Sequence, residues 1–151
     1  MLSDAAADGN FTFGEISNAI QKCKVDLGVT IEFKNGIDIF SRNECEKHET
    51  KRQRYAIAEI IYPEKDGKKH FTGQLLYIRP TFYGTEPVDI VNYASQNPTF
   101  PHQSTADQFF DEKQLEAYRS LGFYIMESAF GTRKPDDLED FADALRDPEK
   151  K

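Results

Sequence analysis

The chain has 151 residues, 38% of them hydrophobic and 30% charged, and a formal net charge of −7. One principal domain is the simplest fit, since a chain of this length buries about 70% of its unfolded surface. The acidic balance excludes a general nucleic-acid binder, which needs clustered Lys and Arg to neutralise phosphates. The densest basic run, residues 47–54, is interrupted by His48, Glu49 and Thr50 and reads as a solvated loop.

Twelve Phe and seven Tyr supply the bulk of a core in a chain without Trp. Cys23 and Cys45 lack metal-type spacing and allow at most one bridge. Cys23 lies on an apolar helical stripe, which predicts a reduced, buried thiol. No apolar run reaches the roughly 18 residues of a membrane span, and the N-terminus lacks the regions of a signal peptide. The expectation is a soluble, cytoplasmic chain.

In chain order, residues 1–10 are small, acidic and turn-prone, with Asp8-Gly9 as the sharpest break. Thr12 and Glu15 have the spacing of a capping box. Ile16, Ala19, Ile20, Cys23 and Leu27 then recur at helical spacing, and Gly28 is placed to end that helix. Residues 29–34 alternate and are rich in β-branched side chains, so they read as a strand stopped by Asn35-Gly36. A helix feeding a strand is half of a βαβ unit, whose first strand would fall in residues 1–5. That segment is short and small in side chain, so a sheet edge or a helix face is expected to stay open. Self-association is the expected consequence.

Residues 37–54 show no sustained period and read as a loop carrying a short Ile-Asp-Ile-Phe strand. Residues 55–62 and 74–79 read as the strands of a hairpin with a long polar tip, on which His70 reads as a surface residue. Past Pro80 and the turn at Tyr83-Gly84, Thr85 or Glu86 is placed to cap a short helix with Pro87 at its first position. Val88, Val91 and Ala94 form its expected buried face. Pro98 and Pro101 predict an extended segment, and Ser104 with Asp107 a second cap. A long helix over residues 112–130 is expected to bury Leu115, Tyr118, Leu121, Ile125 and Met126. The domain is expected to span residues 1–131, with 132–151 as a charged tail forming a marginal helix over Leu138, Phe141 and Leu145.

No catalytic motif is complete. None of the seven serines stands in a Gly-x-Ser-x-Gly elbow. No Gly-rich loop is built for a phosphate or an oxyanion, and no cofactor or metal site is expected. His102, Ser104, Thr105 and Asp107 fall within six residues. One reading makes His102 a base oriented by Asp107. The favoured one makes Ser104 and Asp107 a helix cap, because triad members converge from distant parts of a chain.

Three stretches carry a resemblance. They are SDAAAD (residues 3–8), FGEISNAIQKCKVDLGVTIEF (13–33) and residues 73–122, which include FPHQSTADQFFDEKQLEAY. Together they resemble the C-terminal part of large bacterial patatin-like phospholipases. The resemblance implies a partial three-layer α/β domain, or α+β if the sheet is mainly the hairpin. It also implies a lipid acyl hydrolase that acts through a Ser–Asp dyad and a Gly-rich oxyanion loop. The Gly-x-Ser-x-Gly elbow of the serine, the Asp-Gly-Gly or Asp-Gly-Ala motif of the aspartate and the Gly-rich loop are all absent here, and Asp8-Gly9 is followed by Asn10, outside the family's dyad context. No catalytic residue is carried over. The implied part is a downstream segment, inactive alone, meeting lipid or acyl ester only within a full-length parent. A free-standing, non-enzymatic binding or regulatory module is the alternative.

Overall fold

A computed structural model of the chain describes residues 1–5, 7–48, 52–64, 71–104, 106, 108–130, 136 and 140–141. The described elements are β1 (Leu2–Ser3), α1 (Gly14–Leu27), β2 (Thr30–Glu32), α2 (Arg42–His48), β3 (Tyr55–Ile61), β4 (Thr72–Ile78), α3 (Val88–Gln96) and α4 (Glu112–Phe130). The four strands form one sheet in the order β1-β4-β3-β2. β3 and β4 make the expected hairpin, with Tyr55 opposite Ile78 and Ile61 opposite Thr72. β2 adds antiparallel to β3, and β1 adds parallel to β4. The chain thus crosses from β1 through α1 to β2, and the hairpin fills the space between them. The first strand of the anticipated βαβ unit is present as a two-residue strand, with both residues exposed.

Period-2 alternation divides the sheet residues between two cores. On one face, Leu76 and Ile78 pack with Ile90 of α3, Phe100, and Ala117, Leu121 and Ile125 of α4. On the other, Tyr77 and Ala56 pack with Ile16 of α1 and with Ile39. Helices therefore cover both faces of a mixed sheet, as the α/β reading expects.

Local chemistry explains where the expected elements shift. Gly28 ends α1 in the left-handed conformation, φ +66°, with its N–H donated to the Lys24 carbonyl. Thr12 does not cap α1: the capping position falls to Phe13, without a side-chain hydrogen bond. Of the predicted stripe Ile16 is buried and Ile20 half-buried, whereas Ala19 and Leu27 face solvent. Cys23 is half-buried, and Cys45 is the buried thiol; neither is in a disulfide.

Residues 37–40 form no strand, and the supposed loop contains α2. Ser41 and Glu44 start that helix as a reciprocal capping box. The Glu44 N–H donates to the Ser41 Oγ at 3.3 Å, and the Ser41 N–H donates to the Glu44 carboxylate at 3.2 Å. Two further expected caps move. α3 is preceded by Pro87, with Glu86 drawn into the interior, and Ile90 rather than the exposed Val88 is its buried anchor. α4 is capped by Asp111, whose carboxylate accepts the Gln114 N–H at 2.7 Å. Leu115 is 64% exposed, because Ala117, Leu121 and Ile125 form the buried stripe of α4. The stretch around Pro98 and Pro101 is a turn, with the Phe100 N–H donated to the Asn97 carbonyl at 2.9 Å. His70, Leu138 and Leu145 lie outside the described residues.

Candidate functional site

In sheets with parallel pairs, ligands gather beyond the carboxyl ends of the strands. β1 and β4 end side by side at Ser3 and Ile78, and the next residues are Asp4 and Arg79. The Asp4 N–H donates to the Ile78 carbonyl at 2.9 Å, which extends the pairing by one bond. Arg79 is fully buried. Its guanidinium lies 3.5 Å from the Asp4 carboxylate and 3.3 Å from that of Asp8, and it donates to the Asp8 carbonyl. The Tyr77 hydroxyl donates to the same Asp4 oxygen at 2.6 Å. Phe11 and Phe13 roof the cluster, with ring centres 4.7 and 5.3 Å from the guanidinium carbon. Both phenylalanines hold φ +56°, a conformation costly for a residue with a side chain.

Asp8 explains how that backbone is held. One carboxylate oxygen accepts the Thr12 N–H at 3.2 Å and the Thr12 hydroxyl at 3.1 Å, and the other accepts the Phe13 N–H at 2.9 Å. Burial alone would raise the Asp8 pKa, but these bonds and the Arg79 charge outweigh it and hold the carboxyl below its usual range. The Tyr77 phenol is shifted the other way, chiefly by burial and then by its bond to Asp4, and keeps its proton far above the usual tyrosine range. It is therefore no base at neutral pH.

A second buried pair braces the next turn. Arg54 lies 2.5 Å from Glu86 and donates through Nε to the Thr81 carbonyl at 3.1 Å. Glu86 also accepts the Tyr83 N–H at 2.9 Å, and the Tyr83 hydroxyl donates to the Gln53 carbonyl at 2.7 Å. Burial would raise the Glu86 carboxyl, and the bonds from Tyr83 and Arg54 hold it low instead. Arg54, expected in a solvated loop, is an interior residue stacked on Tyr83 and Tyr124.

The structure treats the sequence candidates differently. His102 lies against Phe11 with ring centres 5.3 Å apart, at the rim of the Arg79 cluster, and its backbone N–H donates to the Thr99 carbonyl at 2.7 Å. Ser104 accepts the Ala106 N–H at 3.2 Å in a local turn, well before α4 begins. Thr105 and Asp107 lie outside the described residues. In the sequence, Asp8 reads only as a turn residue, and Asp4, Tyr77 and Arg79 carry no site signal of their own. The available signal was an arginine inside the apolar run LLYIRPTF, since an interior charge requires a partner.

Chemically, the cluster is an anchor. Its carboxylates bind the guanidinium, the Tyr77 hydroxyl and backbone, while the buried Arg79 Nε has no hydrogen-bond partner among the described residues, so the cluster joins β1, β4 and the entry to α1. Among the described residues, no group of three or more His, Cys, Asp or Glu is placed to hold a metal ion. No described helix is long and apolar enough to cross a membrane. Comparison with family models, with curated proteins and with solved structures finds no match to this chain.

Proposed function

We propose that the chain is the C-terminal segment of a patatin-like lipid acyl hydrolase, carrying scaffold but neither the Ser–Asp dyad nor the oxyanion loop. The observation that carries this reading is β1. It joins the sheet as a parallel strand of two residues and occupies the edge position, with its other side unpaired among the described residues. Parallel pairs belong to sheets covered on both faces and continued by further strands. The resemblance implies catalytic parts upstream of SDAAAD in a full-length parent, and further strands of that parent would add at the open edge. The two acids of SDAAAD fix the edge strand to β4 through Arg79. Lipid or acyl ester is then a ligand of the assembled parent.

A second reading, a free-standing non-enzymatic binding or regulatory module, draws on a different observation. Both buried arginines meet carboxylates of this same chain, so its interior charges are compensated from within.

Two measurements separate the readings. The purified chain is expected to show no turnover of short acyl esters, because an oxyanion hole and a nucleophile supply nearly all the rate enhancement of such enzymes. Co-expression with a patatin-like upstream segment bearing Gly-x-Ser-x-Gly is expected to give a co-purifying, active pair. A monomer that ignores that segment favours the module. Turnover by the chain alone that disappears in His102→Ala would overturn both and establish an enzyme built on His102 and Asp107.

A further inference from the structure

We infer that residues 9–13 are a strap over Arg79, clasped shut by the Asp8 carboxylate and opening locally while the sheet stays folded. The inference is independent of the proposed function. The cover is thin: Phe11 and Phe13 are half-buried, while Gly9, Asn10 and Thr12 are exposed. The guanidinium beneath the two rings is nevertheless fully buried. The strap is also strained, because Phe11 and Phe13 both hold φ +56°, where a side chain is disfavoured. Three hydrogen bonds to Asp8 keep it there. The Thr12 N–H and hydroxyl donate to one carboxylate oxygen, and the Phe13 N–H donates to the other. Both Thr12 bonds lie in solvent, so water replaces them at small net cost.

Once the clasp is undone, the two phenylalanines return to negative φ and carry their rings off the guanidinium. Asp8 stays behind, tied to Arg79 through its carboxylate and its carbonyl. Asp4 remains on the same guanidinium, so opening leaves no interior charge unpaired and escapes that penalty. The Arg79 Nε, which has no hydrogen-bond partner among the described residues, meets water when the strap lifts. Strain released and a donor hydrated offset the ring contacts that are lost. The opened strap uncovers Arg79 beyond the carboxyl ends of β1 and β4, where sheets with parallel pairs receive ligands.

The test treats the full chain at neutral pH with phenylglyoxal, an arginine-directed dicarbonyl, and maps the adducts by mass spectrometry over time. Arg54 is the internal control, because it is also buried but stacks on Tyr83 and Tyr124 rather than lying under the strap. Arg79 is expected to react about tenfold faster than Arg54, since local opening is more frequent than global unfolding. Thr12→Val removes one bond of the clasp from an exposed position and is expected to raise the Arg79 rate several-fold. Asp8→Asn, which weakens all three bonds, is expected to raise it further. Equal rates at Arg79 and Arg54 in the unsubstituted chain would overturn the inference, because both would then be exposed by unfolding of the whole chain. So would an Arg79 rate that Thr12→Val leaves unchanged. That variant keeps the Asp8–Arg79 pair intact, which guards against an Asp8→Asn chain that fails to fold.

Discussion

Arg79 and Asp8 stand 71 positions apart in the chain, yet their charged groups lie 3.3 Å apart with 0% and 9% of their side chains exposed. Asp4 shares the same guanidinium, and Asp4 and Asp8 both lie between β1 and α1, whereas Arg79 follows β4. A buried pair of this kind contributes little when intact, relative to an apolar replacement, but is costly to break. Asp8→Ala is therefore expected to cost about 3 kcal/mol by leaving Arg79 undercompensated and the Thr12 and Phe13 N–H groups without acceptors. Equilibrium denaturation reads the loss. The double variant Asp8→Ala with Arg79→Met is expected to recover part of it, and additive losses would rule out a coupled pair.

The same carboxylate sets a pH dependence. The folded-state pKa values of Asp8 and Glu86 are depressed below their ordinary values of 3.8 and 4.5. The stabilisation is present above those ordinary values. It fades as pH falls below them towards the folded-state values, because the unfolded chain takes up protons first. Denaturation midpoints are expected to hold from about pH 7 to 5 and to drop over the interval that opens at 4.5 and continues below 3.8. A profile flat through that interval would remove both groups from the stability account.

Caps give a sharper contrast. Ser41→Ala and Asp111→Ala each remove an acceptor from a helix N-terminus and are expected to cost about 1 kcal/mol. Ser104→Ala, in a turn that begins no described helix, is expected to stay within about 0.5 kcal/mol of the parent. Denaturant midpoints of the three variants decide the matter, and a large loss at Ser104 would reinstate it as a cap.

On α4, Leu121→Ala is expected to cost about 3 kcal/mol through loss of buried methyl groups and the cavity left behind. Leu115→Ala, on the exposed side of the same helix, is expected to be nearly neutral. Equal losses would show that something covers Leu115 in solution.

Exposed apolar surface accompanies the open edge. Phe109 is 94% exposed and Val25 82%, and Leu27 and Phe123 also face solvent. Self-association is expected at micromolar concentration, through the β1 edge and these side chains. Sedimentation velocity over a dilution series reads it. Leu2→Lys, which places a charge on the edge strand, is expected to weaken it, and a monomer at every concentration would refute it.

What the sequence determined by itself was whatever depends on neighbours along the chain. The hairpin strands β3 and β4 follow from runs of β-branched and apolar residues, and the αL stop at Gly28 follows from the one residue type without a Cβ. The helices α1, α3 and α4 follow from apolar recurrence, with α3 and α4 turned so that Val88 and Leu115 face out. Ser41-x-x-Glu44 is a capping box in the sequence, at the start of a helix too short and polar to show apolar recurrence.

The tertiary structure decided which acids and arginines are interior. Asp8 looked like a turn residue, Arg79 like a strand end before proline, and Arg54 and Glu86 like a loop charge and a cap. Each becomes interior only when a partner 32 to 75 positions away arrives beside it. The cost of burying a charge is set by that partner, and no local pattern encodes its distance in space. The parallel pairing of β1 follows the same logic: two residues have no strand propensity worth the name, and the hydrogen bonds to β4 with the Asp4–Arg79 contact define the strand.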